Sequence, residues 1–148
     1  MADQDLVTVA DRWHQDIYLR GRLEAADEIC APDMVAHGTG VAPDAPTGPA
    51  FVREDAAAIR EAFDVESISN DDIVVSGDRV VIRWSMRGRH VGPFLGIDGT
   101  GRRVAVAGID IFRLERGRIA EFWGEFNLLD LAQQVGAVAT ELTTVQPA

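Results

Sequence analysis

Four successive segments in the second half of the chain alternate between apolar and polar residues, and this alternation limits the fold more than any other feature. Strict alternation is typical of strands that bury one face. The intervening sequences Ser76-Gly77-Asp78 and Glu115-Arg116-Gly117 favour tight turns. We therefore predict an antiparallel meander, with strands over Val65 to Val75, Arg79 to His90, Arg103 to Leu114 and Arg118 to Phe126.

The first half of the chain follows a helical period instead. Apolar residues recur three or four positions apart between residues 5 and 20, and Gly21 is placed to end that helix. Two more helices are predicted at 23–30 and 51–63. A short strand at 34–37 and a loop rich in glycine and proline at 38–49 lie between them. The sequence LLDLAQQVGA predicts a last helix, and the tail 137–148 is expected to fray.

This order of elements indicates an α+β fold in a single domain, residues 1–148. Three N-terminal helices are expected to cover one face of a curved antiparallel sheet, which gives a cone-shaped α+β barrel. A sheet bent in this way leaves a hollow between itself and its helices. Such a hollow is the expected site for a small apolar ligand.

The charged residues and the cysteine exclude several functions. The net charge is −10 and the 14 basic residues are scattered, so we expect neither nucleic acid nor a membrane as a partner. Every basic residue is an arginine, which excludes Schiff-base chemistry by a lysine. The chain has no long apolar run, and its acidic N-terminus is unlike that of a signal peptide, so we expect a cytoplasmic protein. The three histidines and the single Cys30 lack the spacing of a structural zinc site, although the histidines could still meet in the fold. We expect no cofactor.

An ionisable residue interrupts one of the predicted strands. Asp110 shares its strand face with Val106 and Phe112, so its carboxylate is expected to lose hydration. Burial disfavours the charged form, which suits a general acid or base that works near neutral pH. The alternative is a structural hydrogen bond to backbone or to an arginine such as Arg83.

His14 is the second candidate catalytic residue. It lies on the apolar stripe of the first helix, with Ala10, Ile17 and Tyr18 three or four positions away, and is expected to point toward the cavity or its rim. His14 and Asp110 could then act as a pair, one removing a proton while the other donates one. A histidine in this position could equally be a hydrogen-bonded boundary residue.

Aromatic residues and glycines on neighbouring strands are candidates for binding the substrate. The aromatic rings would give the cavity a flat, polarisable lining, although core packing explains them equally well. The glycines would enlarge the pocket, or they mark bulges. His90 stands beside turn glycines, where a structural hydrogen bond is the favoured role. The predicted substrate-binding residues are Tyr18, Trp84, Met86, His90, Phe94, Gly108, Phe122, Gly124 and Phe126.

Several motifs resemble those of the SnoaL-like polyketide cyclases, which belong to the nuclear transport factor 2-like superfamily together with ketosteroid isomerase and limonene-epoxide hydrolase. The resemblance covers nearly the whole chain. Its sharpest motifs are GRHVG at 88–92, FLG at 94–96, GTGR at 99–102, GIDIFR at 108–113 and GRIAEFW at 117–123.

The resemblance implies roles for particular residues. In this family the aspartate of GIDIFR faces the cavity, and Asp110 stands at that position. His14 matches a first-helix position from which related isomerases project a tyrosine, and His37 lies near the position of their proton-shuttling carboxylate. Many relatives carry a catalytic aspartate directly after the tryptophan of the last strand, whereas here Trp123 is followed by Gly124.

These features together predict an enzyme of natural-product biosynthesis that closes a ring in a hydrophobic small molecule by acid–base catalysis. Asp110, His14 and His37 are the predicted catalytic residues. Aldol, ether-forming and pericyclic ring closure all stay open, because the aspartate after the tryptophan is absent. The alternatives are an epoxide hydrolase-like enzyme and a module that binds a ligand without turnover. The resemblance also implies a homodimer.

Overall fold

The protein folds into a five-stranded sheet with helices packed on one face, and the computed structural model describes residues 1–143. The helical elements are α1 (Asp3–Arg12), a π-helical segment (Trp13–Leu19), α2 (Ala25–Ile29), α3 (Pro49–Ala62), α4 (Leu128–Val135) and a 3₁₀ helix (Thr140–Thr143). The strands are β1 (Cys30–Gly38), β2 (Phe63–Ser76), β3 (Arg79–His90), β4 (Arg103–Glu115) and β5 (Arg118–Phe126). The predicted α+β class is confirmed.

The strands lie in the order β1-β5-β4-β3-β2, and the sheet is open rather than closed into a barrel. From β2 to β5 the strands form the predicted antiparallel meander. The prediction of a purely antiparallel sheet is wrong for β1, which pairs in parallel with β5. Parallel neighbours need a long crossover, and here residues 39–117 connect the two strands.

Tight turns join the central strands as predicted. Arg116 and Gly117 both have positive φ angles, of 53° and 78°. Two left-handed residues in succession form the turn that best matches the twist of an antiparallel hairpin. The hairpin sets the register of β4 against β5, in which Asp110 lies opposite Gly124.

The predicted first helix is present, but its last turns are π-helical instead of α-helical. Residues 5–20 were predicted to form one α-helix, but the chain changes to a π-helix at Trp13. The amide of Arg20 donates to the carbonyl of Gln15 five residues earlier, which is the π-helical pattern. Residues five positions apart therefore face the same side, and Trp13 stacks on Tyr18 with ring centroids 6.0 Å apart.

The predicted second helix is also shorter than expected. It ends at Ile29 instead of Cys30, because Cys30 already has extended backbone angles and opens β1. Pro32 then interrupts the pairing of β1 with β5, since proline has no amide hydrogen to donate. The strand predicted at 34–37 is the continuous part of this longer β1.

Local sequence explains the limits of α3 and α4. Pro49 occupies the first turn of α3, where a missing amide hydrogen costs nothing. The Asn127 side chain accepts a hydrogen bond from the amide of Asp130 and caps α4, and Gly136 ends it in a left-handed conformation. Within residues 1–143, no helix has the length and apolar character needed to cross a membrane. The rest of the predicted frayed tail, residues 144–148, lies outside the described residues.

Two groups of buried side chains form the core on the helical side of the sheet. One lies beneath α1, α2 and the start of α3, and includes Trp13, Phe112 and Phe122. The other lies nearer α4, and includes Phe63 and Met86. Partly buried residues, including Tyr18 and Trp84, pack against both groups. The space between the two groups is the cavity described next.

Candidate active site

A cavity of about 400 Å³ lies between the helices and the concave face of the sheet. This volume falls within the range of sites that bind small molecules. Its wall is mainly apolar and its ionisable groups are few. Of the residues predicted to form the site, those that line it are His14, Tyr18, Trp84, Met86, Phe94, Asp110, Phe122, Gly124 and Phe126. A second, more open hollow among Met1, Gly77 and Arg116 has no buried ionisable pair.

His14 and Asp110 meet at the wall of this cavity. The Nε2 atom of His14 lies 2.7 Å from Oδ2 of Asp110, and each residue is only 4% exposed. Asp110 faces inward because it alternates with outward residues on β4, and His14 faces inward from the π-helical segment. Arg83, the alternative partner, lies on the opposite face of the sheet near Asp71. The structure thus brings together two of the three predicted catalytic residues.

Asn70 determines which nitrogen of His14 carries a proton. The side-chain amide of Asn70 donates to Oδ1 of Asp11, which leaves Asn70 Oδ1 facing His14 Nδ1 at 2.9 Å. The opposite orientation of this amide would set two oxygens against each other. Because Asn70 Oδ1 only accepts, Nδ1 must donate. One further proton then lies between Nε2 and Asp110, since two bare acceptors at 2.7 Å would repel each other.

The second oxygen of Asp110 is the one available to a ligand. Oδ2 is held by His14, and Oδ1 makes no hydrogen bond within residues 1–143. A Cβ atom at Gly124 would lie 3.1 Å from this Oδ1. The absence of a side chain at Gly124 therefore leaves room for the carboxylate of Asp110 on the cavity wall.

Sequence reasoning missed a second carboxylate in the cavity wall, that of the partly buried Asp55. Asp55 on α3 accepts a hydrogen bond of 2.6 Å from the hydroxyl of Tyr18. Burial raises the pKa of Asp55, the Tyr18 hydrogen bond opposes this rise, and the charge of Asp110 adds to it. The spacing could have revealed this residue, because Asp55 stands within the apolar stripe of α3, four positions after Phe51 and four before Ile59.

His37 does not lie with the other two predicted catalytic residues. On β1 it alternates with the fully buried Met34, and it stacks on Trp123 at the outer face of the sheet, with ring centroids 5.3 Å apart. Its Nε2 lies 2.8 Å from Glu121, and this contact is the main cause of the lowered pKa of Glu121. Strand alternation turns the His37 ring outward, so this predicted catalytic residue does not line the cavity with His14 and Asp110.

His90 lies in the core and is not part of the cavity wall. It is completely buried, and its Nδ1 accepts a hydrogen bond from the amide of Thr100 in the following loop. Its ring also packs against Phe63. The geometry matches the structural role that the sequence favoured over substrate binding. Among residues 1–143, its Nε2 has no hydrogen-bond partner.

Gly108 does not enlarge the cavity as predicted. A Cβ atom at this position would lie 2.5 Å from the indole ring of Trp84 and 2.7 Å from the carbonyl oxygen of Glu125. The space above Gly108 is therefore filled by Trp84, which lies directly opposite on β3. Gly108 is absent from the cavity wall, and its role is to seat the indole that does line it.

Comparison with known proteins identifies the family. The model of the SnoaL-like polyketide cyclases matches residues 8–135, which is most of the chain. This protein belongs to the SnoaL-like polyketide cyclase family. The resemblance seen in the sequence motifs is thereby confirmed. A search of curated proteins returned no match.

Several solved structures share the fold over nearly the whole chain. TsrD from Streptomyces laurentii is 32% identical, with a TM-score of 0.82 over 93% of this chain and 99% of that one. IdmH from Streptomyces antibioticus, described as a candidate polyketide cyclase, is 31% identical, with a TM-score of 0.70 over 90% and 99%. AclR from Streptomyces galilaeus, described as a candidate hydroxylase, is 21% identical, with a TM-score of 0.79 over 93% and 85%, and supports the fold alone.

Proposed function

We propose that this SnoaL-like protein closes a ring in a hydrophobic, carbonyl-bearing molecule of polyketide type, with His14 and Asp110 as its acid–base pair. One observation carries the proposal. The two residues are buried, lie 2.7 Å apart and border a largely apolar cavity of about 400 Å³. Pairs of ionisable groups in a dry cavity are typical of sites that move protons.

The arrangement suits removal of a proton from carbon. Asp110 Oδ1 takes the proton from a carbon next to a carbonyl group, and the electron pair of that C–H bond passes to the carbonyl oxygen as an enolate. His14 stays bonded to Oδ2 and donates Nδ1–H to Asn70 throughout. After the enolate carbon bonds to a second carbonyl carbon of the same chain, Asp110 returns the proton to the new alkoxide. All atoms of the substrate are kept in the product.

The shape of the cavity contributes by folding the substrate. A flexible chain must bring its two reacting carbons together before a ring forms, and apolar walls hold it in that conformation. Correct alignment of two groups in one molecule lowers the barrier by on the order of 7 kcal/mol. Trp13, Trp84 and Phe122 supply flat surfaces for this purpose.

The proposal also accounts for the departure from the family pattern at Gly124. Asp110 and Gly124 are cross-strand partners, so their side chains would point to the same region of the cavity. Asp110 Oδ1 lies close to the space that a side chain at 124 would enter. We therefore assign to Asp110 the proton-handling role that the family resemblance gives to an aspartate after the tryptophan.

Exchange of carbon-bound hydrogen tests this function without knowledge of the natural substrate. 1-Tetralone is a small aromatic ketone whose protons next to the carbonyl exchange slowly in D₂O, and NMR measures the rate. The wild-type protein is expected to accelerate exchange. Asp110→Asn should reduce the acceleration by about 10²- to 10⁴-fold, because it removes the base while retaining a hydrogen bond to His14. His14→Phe should also reduce it.

Asp64→Asn is the matched control, since it removes one carboxylate from an exposed position on β2. It should exchange 1-tetralone at the wild-type rate. Equal rates in the wild type, Asp110→Asn and His14→Phe would overturn the acid–base assignment. Binding of 1-tetralone with no exchange by the wild type would instead favour a ligand-binding module.

We further propose that the protein is a homodimer formed through the outer face of the sheet. One row across four strands of this face is apolar and consists of Val74, Val81, Ile111 and Trp123, which we name the outer stripe. Arg113 and Glu121 pair beside it, so charges of both signs border the stripe. Apolar residues with a mixed-charge border suit contact with a second copy of the same surface.

A further inference from the structure

A second polar pair lies in the same cavity, on the wall formed by the helices. Tyr18 comes from the π-helical segment and Asp55 from α3, and both border the cavity that contains Asp110. We propose that this pair is a subsite for an uncharged hydrogen-bond donor of the substrate, such as a phenol or enol hydroxyl. The proposal rests on the proposed function only in placing the substrate in this cavity.

The unused hydrogen-bonding capacity of Asp55 supports the subsite. Its Oδ2 accepts from the Tyr18 hydroxyl at 2.6 Å, while Oδ1 makes no hydrogen bond within residues 1–143. Asp55 is partly buried, and Oδ1 is not among the fully enclosed polar atoms, so this oxygen is open to the cavity and a ligand can reach it. A hydroxyl group of a bound ligand would provide the missing donor.

Packing alone does not explain why position 55 carries an aspartate. Its neighbours on the same face of α3 are Phe51, Ala58 and Ile59, all of which are apolar and line the cavity. A leucine or phenylalanine at position 55 would continue this stripe without burying a charge. Packing alone therefore does not account for the carboxylate, and the cavity that it lines is where a further hydrogen-bond donor would meet it.

The charges of the cavity wall determine what kind of ligand fits. The ionisable residues among the lining are Asp55, Asp110, His14 and Tyr18, and no arginine is among them. Arg60 lies nearby, but its guanidinium donates to the carbonyls of Tyr18 and Leu19 at the end of the π-helical segment. Two carboxylates with one histidine repel an anion. The cavity should thus accept a ketone, ester or phenol and reject a free carboxylate.

The desolvated surroundings of Tyr18 and Asp55 also favour an uncharged ligand over an anion. Burial is the first cause of the raised pKa of Tyr18, and the neighbouring charges of Asp55 and Asp110 raise it further. An environment that disfavours the ionised forms of its own residues also disfavours an ionised ligand. Selection therefore acts through desolvation as well as through repulsion.

Three naphthalene probes of matched shape test the subsite, with binding measured by isothermal titration calorimetry at pH 7. 2-Naphthol has a hydroxyl donor, 2-methoxynaphthalene has none, and 2-naphthoate is an anion. The wild type should bind 2-naphthol about tenfold more tightly than 2-methoxynaphthalene, the effect of one hydrogen bond to a carboxylate. Its affinity for 2-naphthoate should be lower still.

Asp55→Asn removes the charge and keeps an oxygen for Tyr18. In this variant the tenfold preference for 2-naphthol should fall to about twofold, and 2-naphthoate should bind more tightly than to the wild type. Glu54→Gln is the matched control, because Glu54 is the neighbouring residue on α3 and is exposed. It should leave all three affinities unchanged.

Three results would overturn the subsite: an unchanged preference in Asp55→Asn, loss of the preference in Asp110→Asn alone, or no binding of any probe by the wild type. The outcome is separate from that of the exchange experiment. Probe selectivity requires no turnover, so a failure to exchange 1-tetralone would leave the affinity ratios intact.

Discussion

Asn70 influences the chemistry of the cavity without lining it. Its contacts with Asp11 and His14 fix one nitrogen of the imidazole as a donor, and this leaves the other nitrogen to share a proton with Asp110. Asn70 is therefore a positioning residue. It occupies a bulge in β2, between Asn70 and Asp72, where the strand departs from regular pairing.

Replacement of Asn70 by alanine tests this role. Without an acceptor at Nδ1, His14 is no longer held with a proton on that nitrogen, and exchange of 1-tetralone should slow by about tenfold or more, because the orientation and protonation of the pair are no longer fixed. Nitrogen NMR of His14 should report the change in protonation, which a purely structural defect would not cause. Ser69→Ala, one residue away, should leave both measurements unchanged.

The sequence predicts the position of a single residue in the site only where a regular apolar pattern surrounds that residue. Asp110 and His14 interrupt clear apolar patterns, and the structure has both on the cavity wall. Asp55 interrupts an equally clear helical pattern and was overlooked. The orientation of His37 could not be predicted, because the short apolar segment around it does not reveal which face of the strand is buried. The parallel pairing with β5 settles that question.

Among the elements, the π-helical segment contributes most to the site. A π-helix has more residues per turn than an α-helix, and here this geometry directs four side chains toward the core: Trp13, His14, Ile17 and Tyr18. A regular α-helix would distribute the same side chains over a larger part of its circumference. Both polar pairs of the cavity depend on this segment, since it supplies His14 to one and Tyr18 to the other. Its sequence pattern is that of an ordinary helix, so the change of geometry was not predictable.

Two glycines on adjacent central strands provide a matched test of the site. Alanine at Gly108 or Gly124 would place a Cβ atom 2.5 Å from the ring of Trp84 or Phe122, respectively. Each change should destabilise the protein by about 1–3 kcal/mol, as overpacking does, and chemical denaturation measures this. Gly108→Ala shifts the Trp84 indole, whereas only Gly124→Ala crowds Asp110, so Gly124→Ala should lose more exchange activity than Gly108→Ala. Equal loss in both variants would contradict the assignment of Asp110 Oδ1.

The architecture of the whole molecule was largely predictable, since α+β class, meander and helical cover all follow from residue periodicity and turn sequences. The parallel position of β1 was not, because nothing within nine residues specifies a partner nearly ninety residues away. The sequence also could not predict which apolar residues line the cavity and which fill the core. It depends on how side chains from distant elements fill space, as Trp84 does above Gly108.

The proposed dimer is the prediction that belongs to the whole molecule. Ile111 lies at the centre of the outer stripe, between Val81 and Trp123. Ile111→Glu should convert a dimer into a monomer, because it buries a charge at the contact. Sedimentation velocity measures this change. Leu129→Glu places the same charge on an exposed residue of α4, and should remain dimeric. A wild-type monomer would refute the proposed assembly.

The cross-strand pairing of Asp110 with Gly124 means that two positions separated in the sequence share one point of the cavity wall. A carboxylate on either strand would reach the space beside Asp110 Oδ1, so a bound molecule would meet the acid in nearly the same place. An alignment of sequences keeps these two positions in separate columns, whereas a superposition of structures brings them together.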